Sequence, residues 1–385
     1  MDSLAFRPPM AERTQACESK VMQETRDLFW MGEALRLARR GEGLTRPNPP
    51  VGAIVVRSNV AAGRGYHRKA GGPHAEVYAL RQAGSQARGG TLYVTLEPCC
   101  TWGRTPPCTD AILAAGIRRV VVATRDPNPR HAGRGLAVLR RAGLRVDTGV
   151  REEEARDLIA PFAVWIRRRR PMVTLKLAAS LDGGIADATG RSKWISGESS
   201  RREAHDLRRR SDAIMVGAGT VLADDPSLLP RPARGRCPFR IVVDARGHVS
   251  PEARVFRGRE EGGTLVATTR RCSASRCAAY AMAGAEVVVL PGSGGGVSLP
   301  ALFRHLGRAG ILRVMVEGGG TLAESLFRAG LVDEMVLFLA PLVIGGQGVR
   351  SVGGRGWLLR RAPRLRLVEE RRCGDDVMLR YLAWR

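Results

Sequence analysis

The chain has 385 residues, long enough for two domains that each bury a core, and its 44% apolar and 26% charged residues suit a globular protein. No apolar run approaches the ~20 residues a membrane crossing needs, so no membrane contact is expected. The net charge of +25 raises a nucleic-acid partner, but the basic residues are nearly all arginine, they are spread along the whole chain, and aromatics are only 5%; a basic surface that steers anionic small molecules is expected rather than a nucleic-acid groove.

Residues 1–25 lack the basic start and apolar core of a secretory signal, so a cytoplasmic location with reduced thiols is expected. They show no sustained periodicity and read as an extension. "DLFWMGEALRLARRGEG" then places Leu28, Met31, Ala34, Leu35 and Ala38 at helical spacing, with Gly41 as a stop. Strands are expected at 51–57, 91–96 and 117–124, and helices at 74–84, 108–116 and 133–143. Their alternation predicts an α/β sheet with parallel pairs, bounding a first domain at 26–150. A helical stretch runs into "RRRRPM" (167–172), read as an exposed element end, and 151–171 reads as a linker. From 172 to 385 the α/β alternation resumes, with helices near 198–210 and 299–309. "PGSGGGVS" (291–298) reads as a flexible loop, and no internal repeat is visible.

"TLEPCCTWGRTPPC" carries Cys99, Cys100 and Cys108. Reduced thiols argue against a disulfide, which leaves a metal or a plain turn. Twenty-five residues earlier, "GPHAEV" puts His74 and Glu76 at the start of a helix. Metal-activated hydrolysis needs three protein ligands, an open position and a carboxylate to move protons. His74, Cys99 and Cys108 supply that ligand set, and Glu76 supplies the acid and base. The order H-x-E then P-C is the layout of zinc deaminases, although here the next cysteine lies nine residues on rather than three. A lone histidine is usually a satisfied structural residue and a free cysteine a small hydrophobe. It is the joint occurrence of H-A-E, E-P-C and P-P-C that favours zinc. Adjacent Cys99 and Cys100 point different ways, so Cys100 is a bystander.

The stretches "RPNPPVGAIVV", "GYHRKAGGPHAEV", "YVTLEPC", "GRTPPC" and "ATRDPNPRHAGRGL" resemble the deaminase half of the bifunctional riboflavin-biosynthesis deaminase–reductase family. "LKLAASLDGGIA", "SKWISG", "VGAGTVLADDPSLLPR", "VEGGGTLAESL" and "LAPLVIGG" resemble its reductase half, and the likeness covers nearly all of 26–385. The resemblance implies a cytidine-deaminase-like three-layer αβα domain followed by a dihydrofolate-reductase-like α/β domain. It implies zinc on His74, Cys99 and Cys108, proton transfer by Glu76, and Asn48, His67 and Arg104 around a phosphoribosyl pyrimidine. In the second half it implies NADPH against Ala178, Trp194, Thr220, Asp224 and the run Gly319, Gly320, Thr321, Leu322, Ala323, Glu324 and Ser325. Substrate would meet Ser192, Arg208, Leu228, Arg231 and Glu317, and the family's association through this half implies a homo-oligomer. From the residues alone, "VEGGGTLAES" reads as a strand, a glycine turn and a helix start that offers N–H groups to a phosphate, and an ordinary turn reads equally well.

Departures from the family pattern are Cys100, Thr101 and Trp102 where serine and histidine are common, Gly184 in place of a cation, and Ala245 in place of serine. Two other readings stay open on sequence: a deaminase paralogue with an altered or lost reductase, and a nucleic-acid base deaminase suggested by the charge.

Overall fold

The computed structural model describes residues 10–103, 105–231, 237–258 and 262–384. Its contacts gather into two units, Met1–Ala163 and Val164–Arg385. No helix among the described residues is long and apolar enough to cross a membrane.

In the first unit the elements run α1 (Met10–Arg39), β1 (Gly52–Arg57), β2 (Val60–Tyr66), α2 (Ala75–Ala83), β3 (Thr91–Leu96), α3 (Cys108–Ala114), β4 (Arg119–Thr124), α4 (Arg134–Arg141), β5 (Arg145–Thr148) and α5 (Glu152–Leu158), with α6 (Ala160–Arg168) crossing into the second unit. The sheet order is β2-β1-β3-β4-β5. Strands β3, β4 and β5 are parallel, whereas β1 is antiparallel to both its neighbours. The sequence pattern missed β2 because "VAAGRGY" lacks β-branched density.

Alternation divides the core. Val55, Val94, Val120 and Val122 face Ala79, Ile112 and Leu136 on α2, α3 and α4, while Ile54, Tyr93 and Val121 face Met31 and Leu35 on α1 and Leu158 on α5. Helices on both faces make three layers. Glycine is needed where those helices touch the hairpin: a Cβ at Gly52 would fall on the Ala34 carbonyl, and one at Gly63 on the Ala79 carbonyl. Asp27 of α1 is held by Tyr93 Oη at 2.7 Å and by both Nη atoms of Arg119 at 2.8 and 2.7 Å. Burial works to raise its pKa, but those donors outweigh it and the carboxyl sits below its ordinary value. Helix α1 begins at Met10, inside the stretch read as an extension. That stretch is rich in good helix formers but carries no apolar stripe, and Val21 and Met22 stay exposed.

The second unit continues with β6 (Met172–Ser180), β7 (Gly184–Ala186), α7 (Glu198–Arg209), β8 (Ala213–Gly217), α8 (Ala218–Asp224), β9 (Phe239–Val243), β10 (Thr264–Thr268), α9 (Ala274–Met282), β11 (Ala285–Val289), β12 (Gly292–Ser293), β13 (Gly296–Val297), α10 (Leu299–Arg308), β14 (Arg313–Val316), α11 (Gly320–Arg328), β15 (Glu334–Ala340), β16 (Val349–Arg350), β17 (Leu365–Cys373) and β18 (Asp376–Ala383). Nine strands form one sheet in the order β11-β10-β9-β8-β14-β6-β15-β18-β17. It is parallel from β11 to β15, and the terminal hairpin adds antiparallel strands. Leu302, Phe303 and Leu306 of α10 with Ala323 and Leu326 of α11 cover one face, and Tyr280 of α9 with Val221 of α8 cover the other. Strand β14 ends opposite Leu175 while β6 runs on to Ser180, which parts the sheet at its centre.

Two expectations are corrected here. "PGSGGGVS" is not a plain loop: Gly292 pairs with Val297, and Gly294 and Gly295 take φ of 58° and 83°, the geometry of a tight hairpin. Of the four arginines, Arg167 to Arg169 are exposed but Arg170 is buried. Its guanidinium grips Asp333 at 2.6 and 3.1 Å, and Asp333 also accepts from Val173 N.

Candidate active sites

His74 stands just before α2 in an extended conformation, which turns its ring away from the helix and toward the start of α3, where Cys108 sits. His74 Nδ1 lies 3.1 Å from Cys108 Sγ and 3.5 Å from Cys99 Sγ, and all three ligand atoms are within 4.8 Å of one another. The ten-residue loop closes on itself through Thr109 N to Cys99 O at 3.1 Å and Cys108 N to Cys99 Sγ at 3.3 Å. A tetrahedral zinc at roughly 2.0–2.3 Å from nitrogen and sulfur would hold those atoms roughly 3.5 Å apart, so the donor set fits the metal. Electrostatics agree. Donation from Cys108 and His74 favours the Cys99 thiolate, while Cys108 keeps its proton against that thiolate.

Glu76, in the first turn of α2, is 3% exposed, and burial pushes its carboxyl up to about 6. His67 meets His74 edge to face at 5.3 Å. Its Nδ1 faces the Pro73 carbonyl at 3.1 Å, which can only accept, so Nδ1 carries the proton and Nε2 accepts from Asn48 Nδ2 at 3.1 Å. Burial lowers the His67 pKa and keeps the ring neutral. Asn48 and His67 are therefore gathered beside His74, whereas Arg104 lies outside the described residues. Cys100 is half-buried, Thr101 is exposed, and Trp102 is 76% exposed.

Sequence reasoning passed over Glu97. Its buried carboxylate accepts from Asp126 N, Gly133 N and Gly135 N at 3.2, 2.9 and 2.9 Å, fixing the 125–135 loop beside Cys99. An acid directly before Pro98, at the end of a buried strand, was the available signal.

In the second unit Arg208 of α7 forks onto Glu317, Nε to Oε1 at 2.5 Å and Nη2 to Oε2 at 2.8 Å. Burial works to raise the Glu317 pKa, but Arg208, with Lys176 and His205, holds it down at about 2. Arg208 also donates to the Leu229 carbonyl, and Arg231 N donates to His205 Nδ1 at 3.1 Å, so Leu228 and Arg231 are carried on a loop tied to α7. Leu228 is buried at φ 58°. Ser192 Oγ donates to Asp224 Oδ1 at 3.1 Å, and Lys193 Nζ lies 3.7 Å from the same oxygen. Trp194 is 71% exposed under the Arg201 guanidinium, 4.6 Å from its ring centre.

Gly319 caps α11 with no side-chain bond, and an added Cβ at Gly219 or Gly319 would meet nothing within 4 Å. Thr220 lies on α8 after β8, and Gly320 to Ser325 lie on α11 after β14. Ser325 Oγ is spent on the Thr321 carbonyl, Glu324 pairs with Arg328, and Ala178 packs against the Val336–Phe338 cluster. Lys176 and His205 were not singled out in the sequence. A lysine inside the apolar strand "LKLAAS" and a histidine three residues before Arg208 on one helix face were the signals. Gly184 is buried; a Cβ there would meet Ser180 Oγ at 3.0 Å and Ile344 Cδ1 at 3.1 Å. The Ala245 carbonyl accepts from Thr269 Oγ1 at 2.7 Å.

Residues 24–124 match the cytidine and deoxycytidylate deaminase zinc-binding region, and residues 171–379 match the RibD C-terminal domain. The riboflavin biosynthesis protein RibD of Aquifex aeolicus is 44% identical over 92% of this chain and 97% of its own. The chain belongs to the RibD family. The Escherichia coli RibD is 42% identical over 93% of this chain and 99% of its own. Among solved structures, Acinetobacter baumannii RibD matches with a TM-score of 0.83 at 36% identity, covering 94% of this chain and all of that one. The Thermotoga maritima diaminohydroxyphosphoribosylaminopyrimidine deaminase/5-amino-6-(5-phosphoribosylamino)uracil reductase matches with a TM-score of 0.83 at 35% identity and the same coverage. The likeness identifies the fold as a deaminase domain joined to a RibD reductase domain. As a RibD family member, the protein is an enzyme of riboflavin biosynthesis with deaminase and reductase halves, acting on a small molecule.

Proposed function

We propose that the first unit deaminates 2,5-diamino-6-(5-phosphoribosylamino)pyrimidin-4-one and that the second reduces the ribosyl group of the product to ribityl with NADPH. The observation that carries the first half is the cluster of His74, Cys99 and Cys108 with the buried Glu76 carboxyl on the same helix turn. His74, Cys99 and Cys108 hold the zinc, which when bound supplies Lewis-acid activation of the hydrolytic water. Glu76 takes a proton onto a carboxylate oxygen and returns it to the departing amino group. Asn48 and His67 orient the pyrimidine, and Arg104 meets its phosphate.

In the second half NADPH, when bound, supplies the hydride. Ala178, Trp194, Thr220, Asp224 and Gly319 to Ser325 border the coenzyme; Ser192, Arg208, Leu228, Arg231 and Glu317 border the substrate. Arg208 keeps its fork on Glu317 and borders the substrate as half of that ion pair. This reading keeps functional boundaries of 26–150 and 172–385, joined through 151–171. It also keeps a cytoplasmic location, a homo-oligomer as the resemblance implies, and no nucleic-acid partner. The deciding experiment is Glu76→Gln in the full chain: ammonia release is lost, while bound zinc and NADPH oxidation with the deaminated pyrimidine persist. Ammonia release at the wild-type rate would overturn the mechanism.

A further inference from the structure

Outside both sites, the second unit brings two cysteines together. Ser273 caps α9, its side chain accepting from Arg276 N at 3.2 Å. Cys272 precedes that cap and Cys277 lies in the helix's second turn, the two positions whose side chains meet across a helix start in a hydrophobic staple. Here both staple residues are thiols, and their sulfurs lie 3.5 Å apart. Cys277 is half-buried and Cys272 is buried. The structure also ties the pair to the carboxyl edge of the sheet. A Cβ at Gly247, on the loop after β9, would lie 2.6 Å from Cys272 Sγ, so the sulfur rests directly on that loop's backbone. Asp244 holds the same loop through Gly247 N and Val249 N at 2.9 Å each, and Tyr280 of α9 donates to Asp244.

We infer that Cys272 and Cys277 form a redox modification site that closes reversibly into a disulfide. The oxidant is a low-molecular-weight disulfide of the glutathione type. The Cys277 thiolate attacks one of its sulfurs and expels one small thiol; Cys272 then attacks the mixed disulfide at Cys277 and expels the second. Two cysteine S–H groups become one S–S bond, and one small disulfide becomes two thiols. A bond needs the sulfurs to approach from 3.5 Å to about 2.05 Å. Burial and the neighbouring Cys272 push the Cys277 thiol up, which lowers its thiolate fraction at neutral pH.

The test uses the full chain, incubated with glutathione disulfide, alkylated and cut with trypsin. Cleavage after Arg271, Arg276 and Arg304 puts the two thiols on separate peptides, 272–276 and 277–304, so the disulfide appears as one cross-linked pair. The expected result is that pair, lighter by about 2 Da than the sum of its thiol peptides. Dithiothreitol abolishes it, Cys277→Ser removes it, and the remote Cys373→Ser leaves it intact. Glutathione retained on Cys277 without the cross-link, or both thiols fully alkylated after equilibration, would overturn the inference. Because no enzymatic rate is read, the outcome is independent of the proposed reactions.

Discussion

The two units solve different chemical problems, and they differ in how their sites are built. In the first, three side chains of metal-ligating type converge within 4.8 Å, each placed by the start of a helix or the end of a strand. In the second, the residues that meet are an ion pair, Arg208 with Glu317, and a glycine-lined helix start. Activating water requires particular donor atoms, so residue type is constrained. Hydride transfer requires placement, which backbone and packing supply and many sequences satisfy. A lost donor should therefore abolish the first reaction, whereas a lost contact should only weaken the second.

The largest effect is expected at Glu76. Glu76→Gln keeps the shape of the buried side chain but removes the proton carrier, and general acid–base catalysis is worth roughly 10²–10⁴-fold. Ammonia release should fall by that order with reductase activity unchanged; a fall below tenfold would break the contrast. Next is Arg208→Met. It leaves Glu317, 12% exposed, without its main partner, and breaking a buried pair costs about 3–5 kcal/mol. Lys176 offsets part of this. Reductase kcat/KM should drop and the second unit's unfolding midpoint should fall, with deamination retained.

The same contrast explains what the sequence showed. The parallel strands β3 and β4 and the helices α2, α3 and α4 were legible because Val94, Val122 and Leu136 follow the period of their elements. Strand β2 was not, since Gly63 and Gly65 exist to let α2 approach and leave no strand signal. Strand β17 was hidden because its charged residues face outward along the sheet edge. His74, Glu76, Cys99 and Cys108 could be named from the joint occurrence of H-A-E, E-P-C and P-P-C. Glu97, Lys176 and His205 carried only the faint signals noted above, because their partners are backbone groups and residues far along the chain, and only folding brings them together.

Glu317 sharpens the comparison through pH. Its folded pKa is about 2 against an ordinary 4.5, so it contributes stability above pH 4.5 and loses it as pH falls toward 2. The full effect is on the order of 3 kcal/mol. Thermal unfolding of the full chain from pH 6 to 3 should show the second unit's midpoint falling. Glu317→Gln, whose side chain does not titrate, should show a flatter decline; an equal slope in both would contradict the assignment.

The smallest effect is expected at His205. Its Nδ1 accepts from Arg231 N at 3.1 Å, and burial with the neighbouring Arg208 holds its pKa down at about 4. The ring is therefore neutral and an acceptor throughout the working range, where it holds the loop that carries Arg231. His205→Leu removes the acceptor, but the Arg231 amide is exposed, so water takes its place and the loss is about 1 kcal/mol. That corresponds to roughly a five-fold rise in KM for the reductase substrate with kcat little changed. His205→Gln restores an acceptor oxygen and should recover most of the affinity. If His205→Leu lowered kcat and left KM alone, the loop would be shaping the reacting centre, and the second site would depend on single donors as strictly as the first.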